Sequence, residues 1–257
     1  MVERPSTDPA ARPFVVPCAD LDAGAPWRWL RAGGRDMRRA PALSLLFGAV
    51  IVLVSAGISW LAYALGRFAL LATLLSGFVF VAPLICVGLY CVSRALEQGR
   101  TPRLRDSFVL ARRVLGQAGV FALGQGVIIL LWSRAGMMVG AFFPFDGGDP
   151  GAFWEFLALG SAVGAVFATL TFAVTAFSLP MIADRDVDMV TAAVSSVHAV
   201  MRNKRVMLVW GLLLVLLTAV GFATALLGLG VLMPWLAYAS WHGYRETLDA
   251  SAWPALE

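Results

Sequence analysis

The chain has 257 residues, of which 60% are hydrophobic and only 14% charged, and its mean hydropathy is +0.79. Soluble domains are roughly 45–50% apolar and about 25% charged, so an ordinary globular protein is excluded. The formal net charge of +4 comes from arginines that flank apolar runs. That placement predicts attraction to anionic lipid rather than to nucleic acid, and no nucleic-acid partner is expected.

In chain order, residues 1–26 contain five prolines and no apolar core. A cleavable signal peptide needs an apolar stretch of about 7–15 residues, so this segment reads as a disordered cytosolic tail. An amphipathic helix follows over 27–40, then charge-free runs at 42–65, 68–93, 114–133, 156–183 and 206–244. A bilayer core takes roughly 20 helical residues. The last run has 39, nearly 60 Å as one helix at about 1.5 Å per residue. Gly228-Leu229-Gly230 supplies a breaker, which places a turn between Ala225 and Gly230. The predicted fold is therefore an all-α polytopic membrane bundle. Its membrane domain covers 27–248, with six transmembrane helices at about 42–65, 68–93, 114–133, 156–179, 206–226 and 227–244. A short cytosolic tail follows at 249–257.

Eighteen of the 20 basic residues fall on one side of this topology, and only Arg67 and Arg134 on the other. The positive-inside rule then puts the 18-residue side, with both termini, in the cytoplasm. Trp60, Trp132 and Trp154 cluster at the predicted outer interface, and Trp27, Trp29, Trp210 and Trp241 lie toward the inner one, as aromatic belts do.

A threefold repeat is legible, three hairpins each preceded by a cytosolic amphipathic helix, at 27–40, 104–115 and 189–204. The first carries Arg28, Arg31, Arg35 and Arg38 on one stripe. The third has Val190, Val194, Val197 and Met201 on one face and Thr191, Ser195 and Arg202 toward the other, with Asp188 as its N-cap. Such helices lie in the interface plane, apolar face down. The second span of each hairpin holds a proline: Pro83, Pro180 and Pro234. In the first and third units an aromatic follows at +7 (Tyr90, Trp241) and an arginine at +11 (Arg94, Arg245). The middle unit departs from this, with charges four residues after Pro180.

Ionisable groups within spans mark catalysis or ion conduction, and the five runs hold no Asp, Glu, Lys or Arg. The candidate site is a polar cytosolic cluster made of Asp184, Arg185, Asp186 and Asp188 after the fourth span, with His242 and Arg245 at the end of the sixth. Three acids in five residues fit a salt-bridged turn and a helix cap better than a cation loop, which needs more ligands and a glycine turn. His242 has the option of pairing with an acid of the other segment. Gly160 and Gly164 give the fourth span a small-residue face for close helix approach. Cys18, Cys86 and Cys91 make no disulfide framework. There is no P-loop, Rossmann fingerprint, His-Glu-x-x-His or nucleophile elbow, so no catalytic residue, metal or cofactor is predicted.

The stretch Ser178-Leu-Pro-Met-Ile-Ala-Asp-Arg-Asp-Val-Asp188, flanked by Trp27-Arg-Trp-Leu-Arg-Ala-Gly-Gly-Arg-Asp36 and Trp241-His-Gly-Tyr-Arg245, resembles the uncharacterised bacterial integral-membrane family known as domain of unknown function 2189. The resemblance runs from about Trp27 to Leu248 and implies a bacterial inner membrane protein without an established activity. Some members carry a label as cytochrome c oxidase components. The two histidines here, His198 and His242, are too few to ligate haem and copper, which leaves an accessory role beside a respiratory complex. The leading expectation is a non-enzymatic scaffold, assembly or accessory factor, with the lipid bilayer and other membrane proteins as partners. The alternative is a transporter or channel for a neutral or lipidic solute, and a membrane enzyme ranks third.

Overall fold

A computed structural model of the chain describes residues 13–65, 85–142 and 150–256. Its helices are α1 (Ala25–Arg39), α2 (Pro41–Leu65), α3 (85–97), α4 (Leu104–Arg113), α5 (Leu115–Phe142), α6 (Pro150–Thr175), α7 (Ser178–Asp184), α8 (Met189–Arg202), α9 (Lys204–Ala223) and α10 (Leu229–Thr247). Most of the expected second span, with Pro83, and the loop holding Asp146 and Asp149 lie outside the described residues. Four helical stretches are long and apolar enough to cross a membrane among those described: Pro41–Leu61, Leu115–Phe142, Trp154–Asp184 and Lys204–Ala223.

The break in the last apolar run falls where the glycines predict, at residues 224–228. Thr224 organises it, since its hydroxyl donates to Gly221 O and accepts from the Gly228 N–H, both at 2.8 Å. Ala225 and Leu226 pass through positive φ (51° and 71°) to complete the turn, a conformation that costs energy in residues with a Cβ. The α10 helix then runs back through the packed end of the molecule, burying ten of its residues, including Tyr238, Trp241 and Tyr244.

The α6–α7 boundary has an identifiable cause. At Phe177 the expected i−4 bond to Ala173 is interrupted: the Phe177 N–H donates to Ser196 Oγ (3.1 Å), and the Ser196 hydroxyl donates to Ala173 O (2.7 Å). Pro180, three residues on, has no N–H to offer Ala176 O, so the kink is fixed from both sides.

Three helices are brought together by missing side chains. A Cβ on Gly33 of α1 would stand 2.6 Å from Ala239 N and 2.9 Å from Trp235 O, and one on Gly48 of α2 would stand 1.9 Å from Gly230 O. Helices α1 and α2 therefore both lie directly on the α10 backbone. Among the described residues nothing lies within 4 Å of the Cβ position of Gly160, and at Gly164 the nearest group is the Trp132 ring nitrogen at 3.8 Å.

Both terminal segments depart from expectation. Rather than a disordered tail, the described part of the N-terminal segment is bonded into the fold. Val16 is fully buried and its N–H donates to Ser195 Oγ at 2.9 Å. The Ala19 N–H donates to Thr247 O (2.8 Å), and the Asp249 N–H to Pro17 O (2.9 Å). Asn203, at the α8–α9 junction, accepts from the Leu21 N–H (2.8 Å) and donates to Ala19 O (3.1 Å). Arg202 pairs with Asp20 at 2.7 Å, a bond that holds the Asp20 carboxyl below the usual range. Proline-rich sequence reads as disorder when it has no partner. Here its backbone polar groups find partners at the ends of α8 and α10.

Helix α8 starts as predicted: Asp188 Oδ1 accepts from the Thr191 N–H at 2.9 Å. Burial disfavours its charge, but bonds from Thr191 and Val190 outweigh this and lower its pKa. Thr191, Ser195 and Ser196 face the protein, while Val190 and Met201 are exposed. The small polar face packs inward, and the apolar one is left for lipid. On α1, Trp29, Leu30, Gly33 and Asp36 are buried against α10. Of the four tryptophans expected at the inner interface, Trp27 is exposed, whereas Trp29, Trp210 and Trp241 are core residues. Trp29 meets Trp210 edge-on with centroids 5.3 Å apart, a favoured aromatic geometry.

Candidate functional site

The predicted cluster divides in two. Asp184 ends α7 as its last residue and is buried, and everything near its carboxylate is positive or a donor. Tyr244 Oη donates to Oδ2 at 2.9 Å, Arg185 Nε at 3.1 Å and Arg245 Nη1 at 3.5 Å. Arg94 Nε stands 3.5 Å from Oδ1. Sequence reading found Asp184, Arg185 and Arg245. It assigned no partner to Arg94 or Tyr244, although Arg94 and Arg245 occupy the same +11 offset from a proline.

Their equivalence has a spatial counterpart. Tyr90 and Trp241, the two +7 aromatics, stack with centroids 6.3 Å apart. One turn further along each helix, Arg94 and Arg245 reach opposite oxygens of the same carboxylate. Glu97 completes the contact, accepting from Arg245 Nε and Trp241 Nε1, both at 3.2 Å. Helices α3, α7 and α10 are thereby tied at one point.

The segment after α10 closes over this point. Leu256 N–H donates to Asp184 O (3.0 Å) and Asp186 N–H to Pro254 O (2.9 Å), with Arg185 and Ala255 in a β-bridge. Arg185 Nη1 donates to Trp253 O at 3.1 Å, and Arg94 donates to Leu256 O. Residues 249–256, expected as a short tail, form a strap over the buried ion pairs.

The remaining predicted residues stand apart. Asp186 is exposed and contributes its backbone. Asp188 is exposed and caps α8. His242 does not join the Asp184 cluster: its Nε2 lies 2.7 Å from Asp36 Oδ2 on α1. Asp36 is buried in α1 against α10, so its partner had to come from that helix, a pairing invisible without the packing. A further tie joins the same two helices: Glu246 accepts from Trp29 Nε1 (2.8 Å) and Arg28 Nη2 (2.5 Å). His198 sits on α8 with Nδ1 3.7 Å from Cys18 Sγ. Among the described residues no three His, Cys, Asp or Glu side chains converge as metal ligands would.

Chemically, this arrangement neutralises and immobilises. The Asp184 carboxylate is engaged by a phenol and three guanidiniums, which hold it in place at the junction of α3, α7 and α10.

Comparison with known proteins agrees with the membrane character of these helices. No curated protein and no solved structure matches the chain. A family model does match, over residues 70–184. That stretch takes in Arg94, Glu97 and Asp184 but stops short of the α1 and α10 signatures, so the resemblance is confirmed over a narrower part of the chain than 27–248. Over residues 70–184 the chain matches the model of the family described as predicted integral membrane protein (DUF2189), in keeping with a membrane protein built of several long apolar helices.

Proposed function

We propose that this protein is a non-catalytic, multi-pass component of the bacterial cytoplasmic membrane that acts as a scaffold, assembly or accessory factor for other membrane proteins, an accessory role beside a respiratory complex among them. In this reading six spans form three hairpins, and the basic end and both termini face the cytoplasm. The observation that carries it is the enclosure of Asp184. The carboxylate that a catalyst or proton carrier would use is taken up in holding α3, α7 and α10 together beneath the C-terminal strap. A buried polar network that ties three helices in this way rigidifies and specifies a fold. The arginine asymmetry supports the orientation, and the matched positions of Tyr90 and Trp241, and of Arg94 and Arg245, support the repeated unit.

A second reading, a transporter or channel for a neutral or lipidic solute, draws on an apolar groove of about 450 Å³ between α6, α8 and α9, lined by Phe172, Met207 and Leu208 among others. Reconstitution separates the two. Full-length protein in liposomes is expected to leave glycerol permeation and phospholipid flip-flop at the level of empty vesicles. Cross-linking in native membranes is expected to trap a complex of fixed stoichiometry. Flux or lipid scrambling above the empty-vesicle level would overturn the scaffold reading.

A further inference from the structure

Beside the strap lies a second basic feature that the ion-pair cluster does not absorb. A cavity of about 660 Å³ opens between α3, the 98–103 connection, α4 and the strap. Five arginines line it, Arg94, Arg100, Arg103, Arg105 and Arg113, against the single carboxylate of Asp106. They come from three consecutive pieces of chain and point into one concavity, separate from the one that Arg28, Arg31, Arg35 and Arg38 line with Trp27 and Trp235 on α1 and α10. Arg100 is steadied by Gln98 Oε1 at 3.0 Å. Arg103 and Arg105 are exposed, and their side chains have no hydrogen-bond or ion-pair partner among the described residues. Arg94 Nε is buried at the cavity wall without a hydrogen bond.

Convergent guanidiniums with spare donors are the side chains suited to phosphate, because their planar forks bond its oxygens two at a time. The position of the cavity says where that phosphate comes from. On α4, Phe108 (65% exposed) and Val109 (46% exposed) are bare next to it, and Val109 is part of its lining. An exposed apolar surface beside a basic pocket on a membrane protein lies at the water–lipid boundary, at headgroup depth.

We infer that the cavity between α3, α4 and the strap binds the phosphate of an anionic phospholipid headgroup, with Arg103 and Arg105 as its principal contacts. This goes beyond the scaffold reading and does not depend on it. The test is native mass spectrometry of the detergent-solubilised full chain, titrated with phosphatidylglycerol, phosphatidylcholine or inorganic phosphate. Phosphatidylglycerol is expected to bind more tightly than phosphatidylcholine. The double variant Arg103→Gln/Arg105→Gln is expected to weaken it about tenfold or more, at roughly one charge-contact's worth of affinity per arginine. Arg103→Lys/Arg105→Lys should recover part of that loss. The control Arg31→Gln/Arg35→Gln removes equal charge from α1 and should leave binding within about twofold.

Unchanged binding in the Arg103/Arg105 glutamine variant would overturn the site. So would an equal loss in the α1 control, whose arginines line a separate concavity, since binding would then not belong to the α3–α4 cavity. Inorganic phosphate displacing the lipid at comparable concentration, and itself lost in the double variant, would overturn the lipid source and assign the pocket to a soluble phosphate. An unchanged thermal midpoint of the glutamine variant in lipid-free detergent shows that it is folded.

Discussion

The two ends of the bundle are assembled from similar apolar helices but are held by different means. At the basic end, Trp29, Phe177, Met207, Trp210, Tyr238, Trp241 and Tyr244 are almost wholly buried, and buried or half-buried polar ties join elements as distant in sequence as Trp29 and Glu246. Toward the other end the spans carry their apolar side chains outward: Leu53, Leu130 and Val215 are each about 70% exposed, and no span has more than 22% of its most apolar window buried. In lipid this exposure costs little, because hydrocarbon tails solvate leucine as well as another leucine does. Specific structure must then come from close backbone approach and polar bonds, and the basic end concentrates both. The lesson is that the fold is specified where the chain meets water and merely passes through where it does not.

This contrast can be broken most directly at Asp184. Asp184→Asn would leave Arg94, Arg185 and Arg245 around a neutral amide. Removing one partner of a buried pair costs about 3–5 kcal/mol, discounted here toward about 3 because Arg245 is partly exposed. Thermal unfolding in detergent should show a large loss, whereas Asp186→Asn, on an exposed side chain, should stay within about 0.5 kcal/mol. Equal midpoints for the two variants would refute the cluster's structural role.

Next in size is a matched pair of glycine substitutions. Gly33→Ala drives a methyl into the α10 backbone and should destabilise by about 1–3 kcal/mol. Gly160→Ala, with no described residue within 4 Å of its Cβ position, should change stability by less than about 0.5 kcal/mol. If the α6 variant proved the more harmful, a partner or second copy would have to pack there.

The kink offers a smaller effect. Ser196→Ala removes the hydroxyl that serves both Phe177 N and Ala173 O, and a buried unpaired backbone group costs about 1–3 kcal/mol. Hydrogen exchange should rise at Phe177 while the outer half of α6 is unaffected.

The smallest expected effect is at the α8 cap. Because the Asp188 carboxyl sits below its ordinary pKa in the folded protein, its contribution is complete above the unfolded-state value. It fades as pH falls through the lowered one. Asp188→Ala should cost about 1 kcal/mol at neutral pH and progressively less in acid. A cost that persisted undiminished after acidification would point to lost packing instead of a lost cap.

What could be read in the sequence was what depends on local pattern. Apolar run length gave the four described helices long enough to cross a membrane, Gly228 with Gly230 gave the turn, and Asp188 gave the α8 cap. The equal spacing from Pro83 and Pro234 singled out Tyr90, Trp241, Arg94 and Arg245 before any contact was known. What could not be read was pairing at long range. Asp36 and His242 are 206 positions apart, and nothing local distinguishes that histidine from one facing Asp184. The terminal segments were misjudged for the same reason: their composition is that of loops, and their order comes from carbonyls and N–H groups of α8 and α10. Face assignment on α8 turned on the surroundings, since in a membrane the small polar face, not the apolar one, is what a protein interior accepts.

The strap over Asp184 also has a consequence for biogenesis. Arg94 and Leu256 are 162 positions apart, and the Asp184 carbonyl is satisfied by Leu256 as well. During synthesis at about 5–20 residues per second, α3 and α7 leave the ribosome well before residue 256 exists. Until then Arg94 and Asp184 wait beside the membrane with their last partners unmade. Completion of the basic end is therefore a late, single event that reports that the whole stretch through Leu256 has been made and threaded correctly. A quality-control protease that recognises an open strap would distinguish a chain extended past Leu256 from one stalled before it without inspecting any of its membrane spans.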